Sequence, residues 1–155
     1  MRTIILMSLC LLGLVGKTQA QVYMTTTGQT QIFSETPMEN ISADNKVVSA
    51  ALNTATKDVA VRIQVIGFKF PNKLMEEHFN ENYMESEKFP KATFKGKIED
   101  FDSSKITSSP KNFTLKGDLT IHGKTKPVSV IVKISKAPNG LNAIGTFEAK
   151  PEDFD

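Results

Sequence analysis

The chain has 155 residues, 39% of them hydrophobic and 23% charged, with a formal net charge of +2, one cysteine and no tryptophan. Its Lys and Arg residues form no block that would read as a nucleic-acid footprint, so no nucleic-acid partner is expected. Nor does one cysteine permit a disulfide within the chain.

Residues 1–20 read as a secretory signal peptide. Arg2 supplies a positive start, Ile4 to Val15 is mostly apolar, and Thr18-Gln19-Ala20 offers small residues for cleavage before Gln21. The apolar run is too short to span a bilayer. Cleavage near Ala20 would place the remainder in the periplasm or outside the cell. It would also remove Arg2, Lys17 and Cys10, leaving 17 basic against 17 acidic residues and no thiol. Residues 21–155 carry no linker or repeat and are read as one domain.

Gln29 to Phe33 is a short extended run, and Asn40 to Asp44 reads as polar and turn-like. Lys46 to Asn53 is the second strand expected, followed by a turn over Thr54 to Asp58. In Val59 to Val65, Val61, Ile63 and Val65 share one face, and Arg62 and Gln64 the other. The apolar parity changes after Gly67 to Phe68 and Phe70, which suggests either a bulge at Gly67 or a strand ending at Ile66. From Asn72 the period lengthens. Asn72 suits a cap for a three-turn helix from Lys73, with Met75, Phe79 and Tyr83 on one stripe and Leu74 beside them.

Every later segment reads as strand. Ala92, Phe94, Gly96 and Ile98 alternate with polar neighbours, and Phe101 to Asn112 reads as a polar loop. Phe113, Leu115, Leu119 and Ile121 then form an apolar face. A linker beginning at Gly123 and running to Pro127 leads into Val128, Val130, Val132 and Ile134, giving an antiparallel hairpin. Pro138-Asn139-Gly140 is a turn before the last alternating run, Leu141 to Ala149. The fold class is therefore all-β and antiparallel with one short helix. Periodicity alone leaves barrel and sandwich open.

Three segments carry a resemblance that chooses between them. Leu119 to Val128, LTIHGKTKPV, is similar to the LT-hG-T-KPV signature of the YceI-like family. Glu77 to Tyr83 resembles that family's H-F helix segment, and Lys88 to Phe94 its [KR]-[YF]-P-x-A-T-F motif. The resemblance runs from about Thr27 to the end of the chain. It implies a lipocalin-like β-barrel that carries polyisoprenoid lipid, with no cofactor. The family pattern continues beyond Phe154 with further strands, whereas this sequence stops at Asp155. The expectation is thus a barrel that does not close, with an exposed strand edge open to self-association.

Candidate site residues follow from parity and from the resemblance. Ten phenylalanines, seven of them between Phe68 and Phe113, suit either a packed core or a channel for a hydrocarbon. Phe79, Tyr83 and Phe94 lie in family-like motifs. Parity adds Phe68, Phe70, Ile98, Phe113, Leu115, Leu119 and Ile121. The two histidines, His78 and His122, lie in different segments, and no G-x-S-x-G, H-E-x-x-H or P-loop motif is present, so no enzyme is expected. His78 with Glu81 and Glu85 along one helix side is the alternative of a metal or redox site. His122 is expected at the barrel rim. A filled barrel serving a structural or stress-related interaction is the remaining alternative to a lipid carrier.

Overall fold

The computed structural model describes residues 21–35 and 37–154, so the leader expected at residues 1–20 lies outside the described residues. Strands β1 (Val22–Glu35), β2 (Asn40–Asn53), β3 (Asp58–Gln64), β4 (Phe68–Lys69), β5 (Lys91–Ile98), β6 (Lys111–Ile121), β7 (Lys124–Ala137) and β8 (Gly140–Gly145) form one antiparallel sheet. Its order is β1-β2-β3-β5-β6-β7-β8, with the two-residue β4 paired to β2. The sheet curls into a nearly closed barrel. Among the described residues no ladder joins β1 to β8, and the seam between them is unsealed.

Up-and-down order sorts the connections. The β1–β2 turn, the long β3–β5 connection and the β6–β7 hairpin tip share one end; the β2–β3, β5–β6 and β7–β8 turns share the other. The long connection holds helix α1 (Lys73–His78), so we refer to its end as the helix end. Asn72 caps α1 as expected, its Oδ1 accepting from the backbone N–H groups of Leu74 and Met75. The α-helix is shorter than three turns: it passes into one π turn at Phe79–Tyr83. Asn80 Nδ2 donates to the Glu76 carbonyl there, holding the wider turn.

Residues of inward parity build the core. Phe94, Ile98, Phe113, Leu115 and Leu119 join Val130, Val132 and Ile134 in the main core, into which Phe154 also packs. Phe68, Phe70 and Ala43 form a second cluster at the helix end, with Ile32, Ile41, Ile63, Met75 and Phe79 against it.

Several sequence expectations need correction. The first strand is fourteen residues long, not the short run Gln29 to Phe33. Its Thr- and Gln-rich stretch is held by pairing with β2, which the single-chain pattern does not register. Asn40 to Asp44 is not a turn but the first part of β2. Its pattern was obscured by an extra residue: Thr30 pairs with Asn45 and Gly28 with Val48, so β2 bulges at Lys46–Val47 and its inward parity shifts. Gly67 lies in a 3-10 turn, Val65–Gly67, rather than in a bulge. The loop after Phe101 is not wholly polar, because Phe101 and Ile106 are buried around a 3-10 turn at Ser103–Lys105. Lys124 to Pro127 belongs to β7, and the hairpin linker is only His122-Gly123. Both residues have positive φ, 50° and 75°, as a two-residue type I′ turn requires. The last strand stops at Gly145, and a 3-10 turn follows at Pro151–Asp153.

Candidate functional site

The inward faces do not fill the barrel. A cavity of about 810 Å³ remains between β2, β3, β5, β6 and β7 on its walls and β1 and β8 at its edges. Valine, leucine, isoleucine and alanine make up most of the lining, and no Asp, Glu, Lys, Arg or His is among the lining residues. The volume lies within the range of pockets that take small organic ligands, roughly 300–1,000 Å³.

The inward faces carry several small residues. Gly96 on β5 and Gly117 on β6 both have inward parity and pair directly. No side chain projects from either, and Phe94 lays its ring beside Gly96, its Cζ 2.7 Å from where a Cβ would stand. Small residues Ala50 and Ala92 line β2 and β5. Opposite them, Val128, Val130, Val132 and Ile134 present β7's apolar face.

The ten predicted site residues divide. Phe94, Ile98, Leu115 and Leu119 line the cavity. Phe113 lies in the same core, its ring edge-on to Phe101 at 5.4 Å, and Ile121 packs against that core without lining the cavity. Phe68, Phe70, Phe79 and Tyr83 are brought together elsewhere, as an aromatic stack at the helix end. Phe79 stands 5.5 Å from Phe68, 4.9 Å from Phe70 and 6.5 Å from Tyr83, centroid to centroid.

Sequence reasoning missed the lining contributed by Val59 and Val61, by the β7 valines, and by Tyr23 and Leu141. Parity had already placed Val61 and the β7 valines on apolar faces, so that signal existed. Tyr23 precedes the first run the pattern detects and gave none.

Polar contacts tie the helix end down. His122 Nε2 lies 2.7 Å from Glu85 Oε2, and Phe89 meets the His122 ring edge-on at 4.6 Å. Glu85 therefore turns to the hairpin tip, not to His78 as the metal alternative supposed. Among the described residues no group of three His, Cys, Asp or Glu side chains is placed to hold a metal ion. Lys69 Nζ donates to Glu76 Oε1 at 2.7 Å, and the Phe70 N–H donates to Glu76 Oε2 at 3.2 Å. Together these hold the Glu76 carboxyl below its ordinary pKa, the lysine bond being the larger cause. Neither the His122–Glu85 pair nor Glu76 lines the cavity.

The family model of the YceI-like domain matches residues 15–155. This chain belongs to the YceI-like family. Solved structures share its fold. A polyisoprenoid binding domain from Saccharophagus degradans, implicated in plant cell wall breakdown, superposes with a TM-score of 0.64 at 12% identity, over 76% of this chain and 69% of that one. BcnA of Burkholderia cenocepacia does so with a TM-score of 0.53 at 18% identity, over 84% and 70%. The Campylobacter jejuni YceI protein gives 0.53 at 19% identity, over 87% and 71%. No curated protein sequence matches. The YceI-like barrel is thus the frame for the cavity, and the family's H-F and P-x-A-T-F segments fall on the helix end and on β5.

Proposed function

We propose that this YceI-like protein binds, without catalysing a reaction, one isoprenoid or similar long apolar chain inside its barrel. The observation that carries this reading is the cavity of about 810 Å³ with an uncharged lining. A charged head buried there would find no counter-ion and would suffer a large desolvation penalty, so the chain's neutral hydrocarbon occupies the cavity. Each 100 Å² of apolar surface withdrawn from water contributes roughly 2.5 kcal/mol. The Saccharophagus degradans domain, described as polyisoprenoid-binding, supports the ligand class.

The deciding experiment is extraction of the protein, purified from its own host, followed by lipid mass spectrometry and titration with geranylgeraniol. A stoichiometric long apolar chain, or saturable uptake of the added one, is expected. Only background lipid together with no uptake would count for the filled-barrel alternative.

Export completes the proposal. Residues 1–20 act as the leader, and 21–155 form the mature domain in the periplasm or outside the cell. Intact mass of the exported protein should begin at Gln21, and a mass that still includes Met1 to Ala20 would refute it. Pairing of two copies through the β1 or β8 edge is a second reading, and sedimentation with and without geranylgeraniol tests it.

A further inference from the structure

We infer that the cavity ends at the helix end in a packed floor, and that this floor sets the length of apolar chain the barrel takes. This rests on the lipid-binding reading above and specifies which chains that site prefers. On three strands the inward positions pass from cavity to floor in one step. On β1, Thr30 lines the cavity and Ile32 packs into the aromatic cluster. On β2, Val48 lines it, while Asn45 and Ala43 beyond it are 1% and 2% exposed. On β3, Ile63 lines it, and Val65 two residues on is fully buried. β4 extends that wall, with Phe68 paired to Asn45 and both Phe68 and Phe70 buried. Phe79 lies against both rings from the π turn.

Ile63 marks the boundary, because it both lines the cavity and packs against the Phe68 and Phe70 cluster. Ala92, its partner across the β3–β5 ladder, stands at the same height and also lines the cavity. Asn45 offers nothing to a polar ligand end: its Nδ2 donates to the Gln64 carbonyl and its Oδ1 accepts from the Val47 N–H. A chain therefore meets the floor with its hydrocarbon terminus, since a hydroxyl there would be buried unpaired. Close-packed interiors do not yield by the length of an isoprene unit, so the terminus stops at Ile63. The floor residues named here all lie between Ile32 and Phe79, so the stop holds whatever borders β8 or covers the opposite end of the barrel. Affinity then rises with each isoprene unit that finds apolar room and levels off once the terminus reaches the floor.

The test titrates lipid-stripped protein with prenols from geraniol to hexaprenol, each longer by one isoprene unit, by displacement of the neutral probe N-phenylnaphthylamine. In the parent, each added unit should raise affinity roughly tenfold or more up to one length and then leave it level. Ile63→Ala with Phe68→Ala joins the space beneath the floor to the cavity and should move that limiting length at least one unit longer. Phe68 does not line the cavity, so a change in the limit on its removal reads the floor itself. Ala92→Leu raises the floor; it should weaken the longest fitting prenol roughly tenfold while leaving geraniol unchanged. The same limiting length in parent and double variant would overturn the floor while leaving the lipid-binding reading intact, as would affinity that climbs through the whole series in the parent. No uptake of any prenol by the parent would overturn that reading, and the floor with it. Should the double variant lose its β-sheet circular dichroism, Ala92→Leu decides: parent-like affinity for every prenol there also overturns the floor.

Discussion

Gly96 and Gly117 face each other across the β5–β6 ladder so closely that neither leaves room for a Cβ on the other. A Cβ on Gly117 would stand 2.5 Å from Gly96 Cα, and one on Gly96 would stand 2.7 Å from Gly117 Cα and 2.7 Å from Phe94 Cζ. Gly96→Ala or Gly117→Ala must push β5 from β6, because the nearest obstacles are the Lys116 and Lys95 carbonyl oxygens of the facing strand. Each should destabilise the fold by about 1–3 kcal/mol, the usual range for overpacking. Urea unfolding monitored by circular dichroism measures this, and a variant as stable as the parent would show that the two strands can separate freely.

Asn45 holds the point where β2 changes partner. It is 1% exposed; its Nδ2 donates to the Gln64 carbonyl at 2.8 Å, and its Oδ1 accepts from the Val47 N–H at 2.8 Å. The first bond secures the end of β3 and the second the bulge in β2. Asn45→Ala strands both backbone groups and should cost about 2–6 kcal/mol, at about 1–3 kcal/mol for each group left unpaired. The change should also be felt at β4, which pairs at Asn45. Amide exchange at the Phe68 and Lys69 amides is the local readout, and protection equal to the parent's would refute this pinning role.

Glu76 makes stability depend on pH. Its folded pKa is lowered from 4.5, first by the Lys69 hydrogen bond and then by the Phe70 N–H. A depressed carboxyl pKa gives stability that is present above the unfolded value and lost as pH falls through the folded value. Acidification below pH 4.5 should therefore weaken the native protein more than Glu76→Gln. The variant should be the less stable one at pH 7, with the gap closing as Glu76 protonates. Denaturant melts across that range test the sign; a constant gap would mean that the carboxylate's charge is irrelevant to this contact.

Cavity volume should govern uptake. Val61 lines the cavity and pairs with Phe94, while Ile131 is 53% exposed on the outer face of β7. Val61→Trp fills the site and should weaken geranylgeraniol binding at least about tenfold, equal to about 1.4 kcal/mol. Ile131→Trp, a swap of similar size facing water, should leave binding unchanged. If both variants bind as the parent does, the cavity is not where the chain lies.

The strand count within one or two, the place of the helix and the inward face of β3, β5, β6 and β7 were legible from residue pattern. Local rules suffice there: side chains alternate along a strand, Asn72 caps the helix, and neighbouring apolar residues at period two share a face. Residue pattern also named the family, because the motifs at Lys88 to Phe94 and Leu119 to Val128 lie in contiguous stretches. The remainder depends on pairing between distant segments. β1 and the first part of β2 are strands because they pair with each other, a long-range ladder that their polar composition does not announce. The ten apolar candidates looked alike in the sequence, yet four line the cavity while Phe68, Phe70, Phe79 and Tyr83 stack at the helix end. Parity fixes which face a residue takes but not its height along the barrel, and height depends on register between strands distant in the chain. The cavity itself is a property of that register, because its lining is gathered from β1, β2, β3, β5, β6, β7 and β8.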